Sequence, residues 1–113
     1  MVTIRVMYWK EIPVQIEFQS EKLKKVIQLD DRFQAAVDSV AMKDGSFGTD
    51  DYLDGWQWQF KEEIKSDLTE DLISKWVAKY DNYPADLIKK ISMTIDNGTR
   101  STSPGSIDHW IFR

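Results

Sequence analysis

The chain has 113 residues, 15 Lys and Arg, 19 Asp and Glu, and a formal net charge of -4 at pH 7. This size predicts one domain with one hydrophobic core. The acidic balance argues against general nucleic-acid binding and against an anionic membrane surface, because both need surplus Lys and Arg. Cysteine is absent and histidine occurs once, which leaves no disulfide, thiolate nucleophile or Cys-ligated metal centre. Residues 1–20 carry charges and no long apolar run, so we expect neither a signal peptide nor a membrane span.

The first third of the chain alternates apolar and polar residues with the period of a β-strand. The pattern predicts strands at about 2–9, 14–19 and 24–29, joined as an antiparallel meander, with a turn over 10–13 that contains Pro13. We assign residues 10–13 to the turn because proline cannot donate a ladder hydrogen bond. The three strands therefore leave one apolar face that another element has to cover.

Three later segments have the spacing of amphipathic helices. They lie at about 31–43, 69–80 and 84–96, the second capped by Thr69 and the third started by Pro84. We expect the first helix to lie on the sheet. Residues 99–105 read as a mobile polar loop, and residues 107–112 as either a short terminal strand or an apolar tail docked on the body.

Residues 50–64 fit two structures. Apolar residues at helical spacing could continue one stripe through this segment, but Gly55 would cost such a helix about 1 kcal/mol relative to Ala. The alternation from Trp56 to Phe60 favours a helical turn at 50–54 and a fourth strand at 56–61. The predicted fold class is therefore α+β, with an antiparallel sheet packed by helices.

An acidic stretch without Lys or Arg runs from residue 44 to residue 60. Its spacing does not fit a calcium-binding loop, because Gly55 occupies the position of the bidentate Glu. Helix starts and turns explain these carboxylates best, and a weak cation site is the alternative; the four residues are Asp44, Asp50, Asp51 and Asp54. His109 has no sequence partner for acid–base catalysis, and we expect no catalytic role for it.

The chain is rich in aromatic residues, with five Trp, four Tyr and five Phe. Strand alternation places Tyr8 and Trp9 on opposite faces, so one helix cannot cover both, and it places Trp56 and Trp58 together on one face. The second face is covered either by the C-terminal helices or by a partner. Buried aromatics fill cores and exposed ones anchor interfaces, and both interpretations stay open for Trp9.

Several blocks of the sequence resemble the small bacterial "virulence factor" domain family. They are Met7-Tyr8-Trp9-Lys10-Glu11-Ile12-Pro13-Val14-Gln15, Arg32-Phe33-Gln34-Ala35-Ala36-Val37-Asp38, Ala41-Met42 and Thr49-Asp50-Asp51-Tyr52-Leu53. The resemblance covers residues 1–60 and extends more loosely to 80, so residues 1–80 form a family-like core of one domain, 1–113, and 81–113 an extension. A domain of this kind also occurs within conserved virulence factor C, beside HEAT-like repeats. The resemblance implies a cytoplasmic bacterial protein with a binding or accessory role, and it supplies no catalytic residues.

The sequence therefore predicts a non-enzymatic interaction or adaptor module that binds another protein and needs no cofactor or metal. The alternative is a small accessory subunit of a metabolic or redox enzyme complex. The predicted docking residues are Tyr8, Trp9, Lys10, Glu11, Pro13, Trp56 and Trp58. This surface requires that Tyr8 and Trp9 be exposed to solvent.

Overall fold

The computed structural model describes residues 1–112 and shows a four-stranded antiparallel sheet in the order β3-β2-β1-β4, packed by helices. The strands are β1 (Val2–Trp9), β2 (Ile12–Gln19), β3 (Lys24–Gln28) and β4 (Trp56–Ile64). The helices are α1 (Asp31–Asp44), α2 (Asp50–Asp54), α3 (Glu70–Asp81) and α4 (Leu87–Asn97), followed by a 3₁₀ helix at Asp108–Phe112. The predicted α+β class is confirmed.

The core lies between one face of the sheet and the helices. Alternate residues of β1 from Val2 to Tyr8 are fully buried on this face. The apolar stripe of α1 is buried in the same cluster and contacts β2, as its spacing predicts. The C-terminal helices lie on the same side. The Tyr83 ring meets the α1 ring of Phe33 edge to face at 5.4 Å and stacks on Tyr80 of α3. The C-terminal helices therefore do not cover the second face, and the first of the two alternatives for that face is wrong.

The ambiguous segment 50–64 is a helical turn followed by a strand, as predicted. Gly55 joins the two elements, because its N–H donates to Tyr52 O and its own carbonyl accepts a bond from Lys10 N at 2.8 Å. The strand pairs Trp56 with Trp9 and Trp58 with Met7. It continues to residue 64 rather than 61.

The prediction for Pro13 is wrong. Pro13 lies inside β2, buried and opposite Tyr8, and the turn is only Lys10 and Glu11. The β1–β2 register shifts between Met7 and Tyr8, and such irregularities are where a strand tolerates a residue without an N–H. Lys10 takes the left-handed backbone conformation, with φ of 50°, which lets two residues close the turn.

The C-terminal third departs from prediction at one point, because helix α4 begins at Leu87 rather than at Pro84. Of the two alternatives for the terminal segment, the docked tail is the one observed: it forms a 3₁₀ helix with Ile107 and Ile111 buried, and not a strand. The predicted cap of α3 is confirmed, since Thr69 Oγ1 accepts a bond from Leu72 N at 3.2 Å. Within residues 1–112, no helix is both long enough and apolar enough to cross a bilayer.

Candidate protein-interaction surface

Tyr8, the first predicted docking residue, is fully buried on the core face. Its hydroxyl donates to Asp108 at 2.6 Å, and the same carboxylate accepts bonds from the Tyr83 hydroxyl and from Lys61 Nζ at 2.9 Å. Burial raises the pKa of the Tyr8 hydroxyl far above its ordinary value, and Tyr80 and Asp108 add to the effect. Tyr8 therefore holds the C-terminal segment against the sheet as a neutral hydrogen-bond donor.

Trp9 is also fully buried, with 0% of its surface exposed, although it lies on the second face. Helix α2 covers it: the indole N–H donates to Tyr52 O at 2.9 Å, and the two rings lie 5.7 Å apart. A Cβ at position 55 would approach the indole nitrogen to 2.7 Å, so the covering turn requires Gly55. Trp9 and Tyr8 both fail the exposure that the predicted docking surface requires. This part of the prediction is corrected.

The turn between β1 and β2 is closed by ion pairs. Glu11 is 1% exposed and receives a two-point bond from Arg100, with Nε–Oε2 at 2.6 Å and Nη2–Oε1 at 2.8 Å. Arg100 also donates to Asp44 at 2.9 Å, and Lys10 Nζ reaches Asp44 at 3.0 Å and Asp51 at 2.7 Å. Bidentate Arg–carboxylate pairs are strong and directional. The Lys10–Glu11 turn is thus a buried polar junction that fixes three distant parts of the chain.

Asp44 is the centre of this junction. Burial alone would raise the pKa of its carboxyl, but hydrogen bonds from Arg100, Ser46 and Lys10 hold the pKa well below its usual range. In the acidic stretch, Asp44 and Asp51 contact the Lys10 ammonium. The other two carboxylates, Asp50 and Asp54, are exposed. Residues 1–112 contain no group of three His, Cys, Asp or Glu arranged to hold a metal ion. His109 is exposed, with its ring against that of Trp110.

Arg100 and Asp108, which tie the C-terminal segment to the sheet, were not singled out from the sequence. Arg100 stands alone among Ser, Thr, Gly and Pro in a segment that reads as a mobile loop, and Asp108 lies in the uncertain tail. A single charge inside an otherwise neutral polar loop was the available signal for Arg100. Its partner Glu11 lies 89 positions away, and no local pattern identifies so distant a pair.

The second face of the sheet, which we call the open face, carries the exposed aromatic surface. Five rings lie in the loop before α2, on α2 and on β4, with centroid distances of 6.1 Å from the first to the second and from the second to the third. We call this set the aromatic strip: Phe47, Tyr52, Trp56, Trp58 and Phe60. Phe47 and Phe60 are 61% and 62% exposed, and the other three rings are half-buried. The predicted residues Trp56 and Trp58 belong to the strip, and strand period two also places Phe60 on their face.

The centre of the open face is electrically balanced. Glu17 accepts a two-point bond from Arg5, at 2.6 and 3.1 Å, and lies 3.4 Å from Lys24. The Arg5 guanidinium lies over the Trp58 ring at 4.3 Å, a favourable cation–π arrangement. The hydrogen bond from Arg5 lowers the pKa of Glu17. These groups neutralise one another and leave the aromatic strip as the apolar part of the face.

The ends of the strip carry a net negative charge, because Lys61 is paired with Asp108 and only Lys65 offsets the two glutamates beyond Phe60. Asp54 precedes β4, and Glu62 and Glu63 lie near its other end; all three are exposed, and none forms an ion pair within residues 1–112. The five residues from Trp56 to Phe60 carry no charge. An uncharged aromatic stretch therefore lies between Asp54 on one side and Glu62 and Glu63 on the other.

The virulence factor family model matches residues 7–91. The chain belongs to this family. The matched range includes the Lys10–Glu11 turn and the whole aromatic strip, and it extends beyond residue 80 into α4, whereas Arg100 and Asp108 lie outside it. No curated protein is significantly similar to the chain, and neither is any solved structure.

Proposed function

We propose that this member of the virulence factor family is a cytoplasmic, non-enzymatic interaction module that binds another protein through the aromatic strip. The observation that supports the proposal is the exposure of Phe60, at 62%, on a sheet face beside Trp58. Exposed aromatic residues that cluster on a surface are favoured anchors of protein interfaces. The docking site is thereby moved from the strand-one turn to β4.

The shape and charge of the open face favour a protein partner over other ligands. A sheet face is flat, whereas small molecules bind in concave sites that enclose most of their surface. Nucleic acid needs a surplus of basic groups, and the stretch from Asp44 to Phe60 contains none. A flat aromatic surface with acidic ends suits a macromolecule that brings its own apolar side chains.

Quantitative affinity capture tests the proposal with two matched variants of the full chain. The double variant Trp58→Ser/Phe60→Ser removes two rings of the strip, and Met93→Ser removes an apolar side chain of α4 that is 51% exposed. Each is captured from lysate of the native host, and recovered proteins are quantified per mole of bait. We expect one partner in fixed ratio with the wild type and with Met93→Ser, and at least a tenfold loss with the double variant.

The same experiment separates the adaptor from the accessory subunit. Fixed-ratio recovery of one metabolic or redox enzyme supports the accessory subunit, and recovery of a non-enzymatic protein supports the adaptor. Equal recovery by the double variant and by the wild type contradicts the proposal, because the strip would then contribute nothing to binding.

A further inference from the structure

We infer that the partner binds as an added β-strand along the outer edge of β4, and that this strand carries Lys or Arg at its ends. The inference rests on the proposed function and specifies its binding mode and the chemistry of its partner. Strand addition combines main-chain hydrogen bonds, which provide affinity, with side-chain contacts, which provide specificity.

The outer edge of β4 presents unpaired backbone groups. Lys10 N donates to Gly55 O at 2.8 Å, so this pair is of the hydrogen-bonded type. Such pairs alternate along antiparallel strands, and Gln57 and Gln59 therefore bond to β1 through their backbones. The N–H and C=O groups of Trp58 and Phe60 point away from the sheet, and no backbone partner within residues 1–112 meets them.

The two edges of the sheet differ in their protection. One edge strand of the sheet is β3, which has five residues and begins with Lys24 and Lys25. Short strands that carry lysine resist edge-to-edge pairing. The other edge is β4, whose first five residues, 56–60, are uncharged and pair with β1 in one continuous register; the bulge and the charged residues of this strand lie beyond Phe60. A strand added there would also cover the exposed ring of Phe60, so main-chain pairing and aromatic contact occur together.

The charges at the ends of β4 indicate what the added strand contains. A segment paired with residues 56–60 brings one end near Asp54 and the other near Glu62 and Glu63, whichever way it runs. Opposite charges across neighbouring strands stabilise the pairing and like charges weaken it. The fitting segment is therefore apolar or neutral in its centre and basic at its ends.

The same charges disfavour a second copy of this chain as the occupant. The antiparallel self-pairing that keeps 56–60 fully paired is centred on Trp58, with Trp56 opposite Phe60. In this register Asp54, at the end of α2, comes near Glu62 at both ends of the interface, and like charges brought close together repel each other. A different chain with basic ends meets no such repulsion.

Peptide selection followed by residue-resolved amide exchange tests the inference. Random 12-residue peptides displayed on phage are selected against the full chain, and the selected peptides are synthesised and added to the labelled protein. We expect Lys or Arg at both ends of the selected core. The Trp58 and Phe60 amides should exchange at least tenfold more slowly on binding, and those of Gln57 and Gln59, already bonded to β1, should change much less. Replacing the basic ends with Glu should weaken binding at least tenfold.

Three results would overturn the inference. One is a bound peptide that leaves exchange at Trp58 and Phe60 unchanged, which indicates docking on the face without strand pairing. Another is selection that yields no peptide, or peptides with neutral or acidic ends. The last is concentration-dependent dimerisation in sedimentation that itself slows these two amides, which makes a second copy the occupant. The affinity capture above does not depend on any of these results, so failure of the binding mode and failure of the proposed function are distinguishable.

Discussion

The Lys10–Glu11 turn and the aromatic strip are neighbours in the sheet, since Trp56 pairs with Trp9, yet they differ in exposure and in charge. The turn is closed by Arg100 and Asp44 and is buried, whereas the strip ends in the exposed ring of Phe60. Both lie within the range matched by the family model. The residues of the turn resemble the family because the packing of the turn requires them, and the surface that is open to a partner lies beside the turn.

Arg100→Ala tests the closed side of this comparison and has the largest expected effect. It leaves Glu11, which is 1% exposed, as a buried charge without its bidentate partner. Breaking one side of a buried ion pair costs about 3–5 kcal/mol, and we expect a loss of this size in the free energy of unfolding measured with urea. The double variant Glu11→Gln/Arg100→Gln should recover part of the loss. A loss below about 1 kcal/mol would mean that the pair behaves as an exposed one.

Gly55→Ala tests how closely α2 covers Trp9. The added Cβ would lie 2.7 Å from the indole nitrogen, and overpacking of this kind costs about 1–3 kcal/mol. The measurement is again the free energy of unfolding. Trp9→Phe removes the nitrogen, so Gly55→Ala should cost less in that background. Equal costs in the two backgrounds would show that the cover does not depend on this contact.

The acid dependence of stability tests the Asp44 junction. The pKa of Asp44 is depressed in the folded state, so its stabilising contribution is complete above the unfolded pKa of about 3.9 and is lost as pH falls further. We expect Asp44→Asn to lose about 2 kcal/mol at pH 7, as for hydrogen bonds to a charged group. The difference between the two proteins should shrink as pH falls below about 4. If the difference in free energy of unfolding between wild type and Asp44→Asn did not change with pH, the loss would not come from the charge of Asp44.

The outcome for Trp9 shows how far sequence periodicity reaches. Alternation correctly placed Tyr8 and Trp9 on opposite faces, because strand geometry is local. It could not show that α2 folds back over Trp9, since the contact with Tyr52 spans 43 positions. The same applies to Arg100, whose partners come from two other parts of the chain. Faces and elements were predictable from the residues, whereas the cover of each face depends on long-range docking.

Phe60→Ser tests the open side of the comparison and has the smallest expected effect on stability. The ring is 62% exposed, and surface substitutions of this kind usually change the free energy of unfolding by less than about 0.5 kcal/mol. The same substitution should weaken binding of the selected peptides by at least tenfold, because anchor residues contribute well over 1 kcal/mol to an interface. Met93→Ser, of similar exposure, should change neither quantity. Thermal unfolding and peptide titration of both variants separate a binding surface from a structural one. If Phe60→Ser lowered stability as much as Gly55→Ala does, the strip would belong to the folded core and the contrast with the turn would disappear.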